Sequence, residues 1–551
     1  MILFHLVVLI LVFIVTKVVH CFTGVSICPC LLVPISLLIS FGTMWLAGIA
    51  SRGVATRKVT AAPPPENRKA WYIQSDPPPK GLPHSCSFVE FDERGDYLDF
   101  AQHQHAYEKI MALAKEHENL IVVMFVHGWC NGAHSGNVIS FNEFLHQLSQ
   151  FADHGGTSYR VHGLYLAWRG GNLRPVVDKK DPILHRVTHR FQGKAIIDFA
   201  QTARISWLAN CVEYFSYFNR KSVPEHKFAG TSLSRTIYSC ARVAKRYCDD
   251  SLVFLIGHSF GGLMLERTFQ NATIGELTDA WPWEDPKAAE TTKANPLPFD
   301  TVLLVNSAAP SIYAKQFQSY LAAHRGAMRR SNVTGADSPI FISLTSTGDW
   351  ATGLTHYWAN TFCYWVPTLW RDYRGDDFIL EKTPGAEDVK IPEGYYYRRT
   401  PGHNPLLVNR FIELSKTQPV EPSKQAERQA QSSVSKNLLQ PAGDPFEFST
   451  TARDGSAVYT WRVNFPPVTE AFKTFSTFEG RRPVAWTQES GDYPYRESAY
   501  WIASCTPEII FDHTDIWSQQ AMDTYAALYR IALYLRDQKP RGGAGSPPAP
   551  K

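Results

Sequence analysis

Leu252-Val253-Phe254-Leu255-Ile256-Gly257-His258-Ser259-Phe260-Gly261-Gly262 is the stretch on which the reading of the whole chain turns. Residues 252–256 form an apolar run of strand length, and an apolar helical pattern continues over 261–270. Glycines stand two residues to either side of Ser259. A strand that bends sharply into a helix has no space for β-carbons at those two positions, and the bend pushes the central hydroxyl out at the carboxyl edge of a sheet. The N-terminus of the following helix adds a positive dipole and unsatisfied backbone N–H groups beside that hydroxyl. An incidental serine in a glycine turn is the bland alternative, and the strand on one side with the helix on the other argues against it.

Outward from this turn the same rhythm recurs. Leu120 to Val126 (LIVVMFV) is a continuous apolar run, as expected of a parallel strand buried on both faces. Similar runs occupy 161–168, 301–305 and 339–345, and Phe88 to Phe91 is a shorter candidate. Helical spacing appears at 100–117, 141–152, 193–213, 230–247 and 261–270. Strands alternating with helices predict an α/β fold built on a doubly wound, mostly parallel sheet.

A second turn follows the run at 120–126: Phe125-Val126-His127-Gly128-Trp129. In a doubly wound sheet it falls on the same carboxyl edge as Ser259, where its N–H groups can face a developing oxyanion. HGW after one apolar strand and GHSFGG after a later one resemble the α/β-hydrolase superfamily, and within it a poorly characterised bacterial group of esterase- or lipase-like serine hydrolases with an F-V-H-G-W turn. The resemblance spans roughly 87–349 and 505–535. It implies Ser259 as nucleophile, with Gly257 and Gly261 shaping its turn, and an oxyanion hole from the backbone N–H of Phe260 and of Trp129, with Cys130 as the alternative to Trp129. His127 and Gly128 would support that turn structurally.

The superfamily's chain order is serine, acid, histidine. Ile342 to Asp349 (ISLTSTGD) supplies an apolar strand, a short turn and then Asp349; the competing acids Asp372, Asp376 and Asp377 follow no clear strand. Two histidines remain candidates for the base. His513, in Ile509-Ile510-Phe511-Asp512-His513, is expected to follow a strand at 509–511 and precede an amphipathic helix, and its H-x-D-I phrase resembles the group's terminal loop. His403, in Arg399-Thr400-Pro401-Gly402-His403, lies nearer the usual distance after the acid, whereas His513 is 164 residues beyond Asp349. The strand-loop-helix context favours His513, with His403 the alternative base.

Composition limits the partners. Lys+Arg number 55 against 51 Asp+Glu, a net charge of +4 over 551 residues, so no basic footprint for nucleic acid is expected. Hydrophobic residues make up 44% of the chain, enough for a large core. The scattered cysteines form no zinc-ribbon pattern. His185 and His189 lack the glutamate of a metalloprotease helix, and His103 and His105 face apart on a helix, so no metal and no cofactor are expected.

Apolar runs at 2–15 and 31–50 read as a signal peptide cut near Ala50, an uncleaved anchor or a helical hairpin, with a misassigned start before about residue 30 as the alternative. The expected organisation is therefore a signal or anchor at 1–50, a Pro-rich linker at 51–84, a hydrolase core at 85–349, and an insertion at 350–500. That insertion contains an aromatic-rich cap candidate and a polar low-complexity segment at 418–445. The last strand and helix of the core follow at 501–536, then a tail at 537–551. Asp454-Gly455 between two alternating runs predicts a hairpin inside the insertion.

Taken with the resemblance, these features imply a carboxylic ester hydrolase at a bacterial cell envelope, tethered to or exported across the membrane, acting on a small-molecule or acyl-lipid ester. Two other classes fit the same residues: an acyltransferase or peptidase with the same triad, and a non-catalytic hydrolase-fold binding protein of the envelope.

Overall fold

In the computed structural model the described residues are 84–117, 119–129, 131–133, 136–152, 159–170, 221, 223–225, 227–228, 232–248, 250–279, 298–323, 339–358, 360, 378–381, 389–417, 446–451, 458–464 and 498–537, with 12, 13 and 16. Nearly all of both N-terminal apolar runs, the Pro-rich linker, the expected helix at 193–213, the 418–445 segment and the tail lie outside them. No helix among the described residues is long and apolar enough to cross a membrane.

Twelve strands are described: β1 His84–Phe91, β2 Leu120–Val126, β3 Arg160–Trp168, β4 Leu252–His258, β5 Thr301–Val305, β6 Phe341–Ser346, β7 Phe378–Glu381, β8 Val389–Pro392, β9 Arg410–Thr417, β10 Phe446–Thr451, β11 Val458–Asn464 and β12 Tyr500–Cys505. Ten of them form one sheet in the order β1-β3-β2-β4-β5-β6-β12-β9-β11-β10, and β7 and β8 pair separately. From β1 across to β9 every neighbouring pair is parallel. Only β11 and β10, at the far edge, run antiparallel to their neighbours. The class is α/β, with a mostly parallel sheet flanked by helices.

The apolar runs are continuous because each strand feeds two cores. In β2, Leu120, Val122, Met124 and Val126 enter one buried cluster, and Ile121, Val123 and Phe125 enter the other. The same alternation holds in β4, where Val253 and Leu255 face one side and Phe254 and Ile256 the other. Helices α1 Phe100–Glu116, α3 Ser232–Tyr247, α4 Phe260–Asp279 and α5 Ser311–Ala323 cover the first cluster. On the opposite face lie α2 Gly136–Ala152 and α7 Gln519–Asp537, while the short α6 Glu393–Arg398 follows β8.

This arrangement creates a reversal in strand order. After β2 the chain runs through α2 to β3 on one side, and later returns through α3, on the opposite face, to β4 on the other side of β2. Crossovers on opposite faces leave a crevice at the carboxyl ends of β2 and β4, where ligands of open α/β sheets settle.

One expectation needs correction. Residues 509–511 are not a strand; Ile509 and Ile510 are buried in a loop, and the strand of that region is β12, which starts at Tyr500, ahead of the apolar triplet. Ile509 and Ile510 are apolar because they are buried, whereas Phe511 is exposed. The 350–500 region also contributes strands to the sheet: β9 pairs with β12, and the β10-β11 hairpin extends the sheet beyond it. Asn409 fastens this junction, its amide N–H donating to the Tyr500 carbonyl while its own oxygen accepts from the Ile502 N–H. The expected hairpin is present, with its Asp454-Gly455 turn outside the described residues.

Candidate active site

Ser259 follows the last residue of β4 and precedes α4, with φ 55°, in the left-handed region that side chains other than glycine seldom adopt. Its neighbours explain how the bend is tolerated. A β-carbon on Gly261 would lie 2.1 Å from the Val126 carbonyl oxygen, and one on Gly257 would lie 2.8 Å from the Gly261 oxygen. The bend therefore presses directly on the end of β2. Inside it, the Ser259 N–H donates to the Val305 oxygen, and the Ser259 carbonyl accepts from Leu263 and Ala308.

The turn after β2 closes over the same point. A β-carbon on Gly128 would come within 2.8 Å of Cβ of Ser259, so Trp129 begins immediately beside the serine. His127 is fully buried and locks this turn: its Nδ1 donates to the Gly128 oxygen, its Nε2 accepts from the Trp168 N–H, and the Trp168 indole donates back to the His127 carbonyl. Burial pushes the His127 ring down to about 4, so it is neutral, as this donor-acceptor pattern demands. Phe260, with a buried side chain, follows Ser259; Cys130 lies outside the described residues.

Asp349 sits just past β6 and is buried. One carboxylate oxygen accepts from the backbone N–H groups of Ala351 and Thr352, and the other from the Thr352 hydroxyl. Burial alone would raise its pKa. The His513 charge and the hydrogen bonds from His513 and Thr352 outweigh that and hold the carboxyl at about 2. It is ionised throughout the neutral range.

His513 lies between the two. Its Nδ1 donates to Asp349 Oδ2 at 2.9 Å, and its Nε2 is 2.9 Å from the Ser259 hydroxyl. The rival histidine occupies a different place: the Nδ1 of His403 pairs with the Thr400 hydroxyl at 3.0 Å, and its ring lies over Gly353 in the turn after Asp349. Ser259, His513 and Asp349 thus form one hydrogen-bonded chain, and His403 stands beside it without joining it. An imidazole in this position can accept the serine proton while the carboxylate fixes its tautomer.

Several participants were not legible as site residues. Thr352 follows the acid in an undistinguished Ala-Thr-Gly-Leu stretch. His258, inside the serine motif itself, places its Nε2 2.8 Å from the His513 carbonyl oxygen. Beyond the acid, His356 bonds Asn360, which accepts from the buried Lys221. Asn360 and Lys221 are separated by 139 residues, so no local pattern could have joined them. Trp350, Leu354 and Trp358, at successive four-residue steps after Asp349, are exposed, as is Phe511 on the His513 loop.

No group of three or more metal-binding side chains occurs among the described residues. His103 stacks on Tyr97, while His185 and His189 lie outside those residues. No protein-family model matches the chain, and no curated protein or solved structure matches it.

Proposed function

We propose that the protein is a serine hydrolase of carboxylic esters, of the α/β-hydrolase type that its two turns resemble. The observation that carries this reading is the convergence of Ser259, His513 and Asp349, from three separate segments, at successive distances of 2.9 Å. In the proposed reaction His513 Nε2 takes the Ser259 proton as the oxygen attacks the ester carbonyl carbon. The backbone N–H groups of Phe260 and Trp129 bind the resulting oxyanion. His513 then passes the proton to the departing alcohol, and water, activated by the same imidazole, releases the acid and restores Ser259.

An apolar acyl chain is the proposed substrate feature. Exposed Trp350, Leu354 and Trp358 closely follow the acid in the chain, and exposed Phe511 lies two residues before the base, so each of these two site segments carries exposed large apolar side chains. Large apolar side chains grouped on a surface mark a contact with apolar matter more often than isolated ones do. Attachment to, or export across, a bacterial envelope membrane is proposed from the apolar runs at 2–15 and 31–50.

The test is labelling by a fluorophosphonate of the wild-type chain and of Ser259→Ala, His513→Ala and His403→Ala. The reading requires label on wild type, none on Ser259→Ala, strong loss on His513→Ala and retention on His403→Ala. A folded wild-type chain that takes no label sinks it. Strong loss on His403→Ala with retention on His513→Ala would instead transfer the base to His403.

A further inference from the structure

The loop that carries His513 is not held by a strand of its own. It hangs instead from the ends of three neighbouring parallel strands, each of which supplies one side-chain donor to one of its carbonyls. From the end of β4, His258 Nε2 donates to the His513 carbonyl at 2.8 Å. From the residue after β5, Asn306 Nδ2 donates to the Asp512 carbonyl at 3.3 Å. From the end of β6, the Ser346 hydroxyl donates to the Ile510 carbonyl at 2.5 Å.

We infer that His258, Asn306 and Ser346 form a carbonyl-binding cradle whose work is to position the base, so that these three are positioning residues for the reaction proposed above.

The three donors are linked. Asn306 uses its amide oxygen to accept the Ser346 N–H at 3.0 Å, and its backbone N–H donates to Leu344, so its side chain bridges β6 and the His513 loop. It holds φ 45°, one of two non-glycine residues in that region among the described residues, the other being Ser259. Asparagine tolerates this conformation better than most residues. Asn306 and Ser346 are fully buried and His258 is nearly so. The remaining carbonyl of the set, that of Phe511, lies where a β-carbon on Gly348 would meet it at 2.5 Å, and the Gly348 N–H is taken by the Ser346 hydroxyl.

His258 can donate to a carbonyl only as the Nε2–H tautomer. Its Nδ1 is buried without a hydrogen-bond partner and points at the turn after β2, at 3.0 Å from the position of a β-carbon on Gly128. A buried imidazole that leaves one nitrogen unpaired while spending the other on the backbone of the next histidine is costly unless the second bond matters. Its ring also lies 4.9 Å from that of His513. The residue therefore restrains the base through both its backbone and its ring.

The role rests on the serine-hydrolase reading, and the experiment separates the two. Fluorophosphonate labelling rates, and kcat and KM for a p-nitrophenyl ester, are measured for wild type, His258→Leu, His258→Gln, Asn306→Asp and Ser346→Ala, with thermal melting as the check on folding. Asn306→Asp keeps the oxygen that Ser346 requires and the tolerance of positive φ, and replaces the donor to Asp512 by a second carboxylate oxygen, so that when ionised it sets a buried charge against that carbonyl. Loss of the donors should lower kcat and the labelling rate by about tenfold to a hundredfold with KM little changed, since a small misplacement of a catalytic group has effects of that order. His258→Gln, which restores an N–H donor, should recover most of the loss.

Wild-type rates in both folded Asn306→Asp and folded His258→Leu overturn the cradle and leave the hydrolase reading standing. Losses that track the melting temperature, with His258→Gln as impaired as His258→Leu, also overturn it, because they mark a purely structural role. Absence of label on wild type removes the hydrolase reading and the cradle's purpose together.

Discussion

Gly128 and Ser259 are so close that a methyl group on the glycine would sit 2.8 Å from the β-carbon of the serine, with the His258 side chain and carbonyl oxygen at 3.0 and 3.1 Å. The contact joins the turn after β2 to the bend after β4, and neither backbone has space to retreat. Gly128→Ala is therefore expected to displace Ser259 from His513 and to lower the labelling rate by roughly a hundredfold, the scale of a 1 Å misplacement. Overpacking should also reduce stability by about 1–3 kcal/mol. Labelling at the wild-type rate by a folded Gly128→Ala chain would show that the turn does not constrain the nucleophile.

Asp349 offers a test of the carboxylate's part. Its hydrogen bonds keep it ionised, so Asp349→Asn should leave the fold in place, reverse the preferred imidazole tautomer and reduce kcat by roughly ten-thousandfold at neutral pH. The same depressed pKa has a stability consequence. Its folded value of about 2 lies below the ordinary 3.8, so the stabilisation is present above pH 3.8 and is lost as pH falls through about 2. That difference amounts to about 2 kcal/mol. Urea unfolding of wild type and Asp349→Asn between pH 7 and pH 2 should show the wild-type advantage shrinking across that acid window and not above it.

Glu266 behaves in the opposite sense. This buried carboxyl on α4 accepts a hydrogen bond from the Tyr500 hydroxyl at 2.8 Å, and its other oxygen has no partner. Burial raises it to about 8 from an ordinary 4.5, against smaller opposing contributions from Tyr500 and Arg267. The native protein therefore holds the proton longer than the unfolded chain, and stability is lost as pH rises from 4.5 through about 8. Glu266→Gln should flatten the melting temperature over this range and exceed wild type at pH 9. An unchanged slope in the variant would assign the pH dependence to other groups.

Substrate choice can be probed at the exposed apolar residues beside the acid. Replacing Trp350, Leu354 and Trp358 together by serine should leave p-nitrophenyl acetate hydrolysis within about twofold and lower kcat/KM for a decanoate ester roughly tenfold, since each buried methylene contributes about 0.8 kcal/mol. Equal loss on both esters would mean that the patch supports the site rather than the acyl chain.

How much of this could be read in advance differs from one element to the next. The bend at Ser259 and the turn at Gly128 were legible because their requirements are met within a few residues: a strand, a glycine where a β-carbon would collide, and a helix. The strands β2 and β4 were legible for a similar reason, since burial on both faces leaves an unbroken apolar run. β9 was not. Its sequence RFIELSKT mixes buried Ile412 with exposed Glu413, Ser415 and Lys416, and nothing in it names β12 as a neighbour. The apolar triplet at 509–511 misled for the converse reason, because Ile509 and Ile510, in a loop packed on a core, carry the same signal as a strand, and the exposed Phe511 lengthens it.

By itself the sequence determined the alternation of strands and helices, the serine at a strand-to-helix bend, the glycine turn facing it, and a short set of acids and histidines. Sterics and burial within a few residues suffice for each of these. The tertiary structure alone decided which histidine meets Ser259 across 254 residues, where the 350–500 region joins the sheet, and which side chains of β4, β5 and β6 hold the base. Those outcomes depend on strand order, which is set by many small pairing and burial free energies summed over the whole sheet, and no short stretch of residues contains that sum.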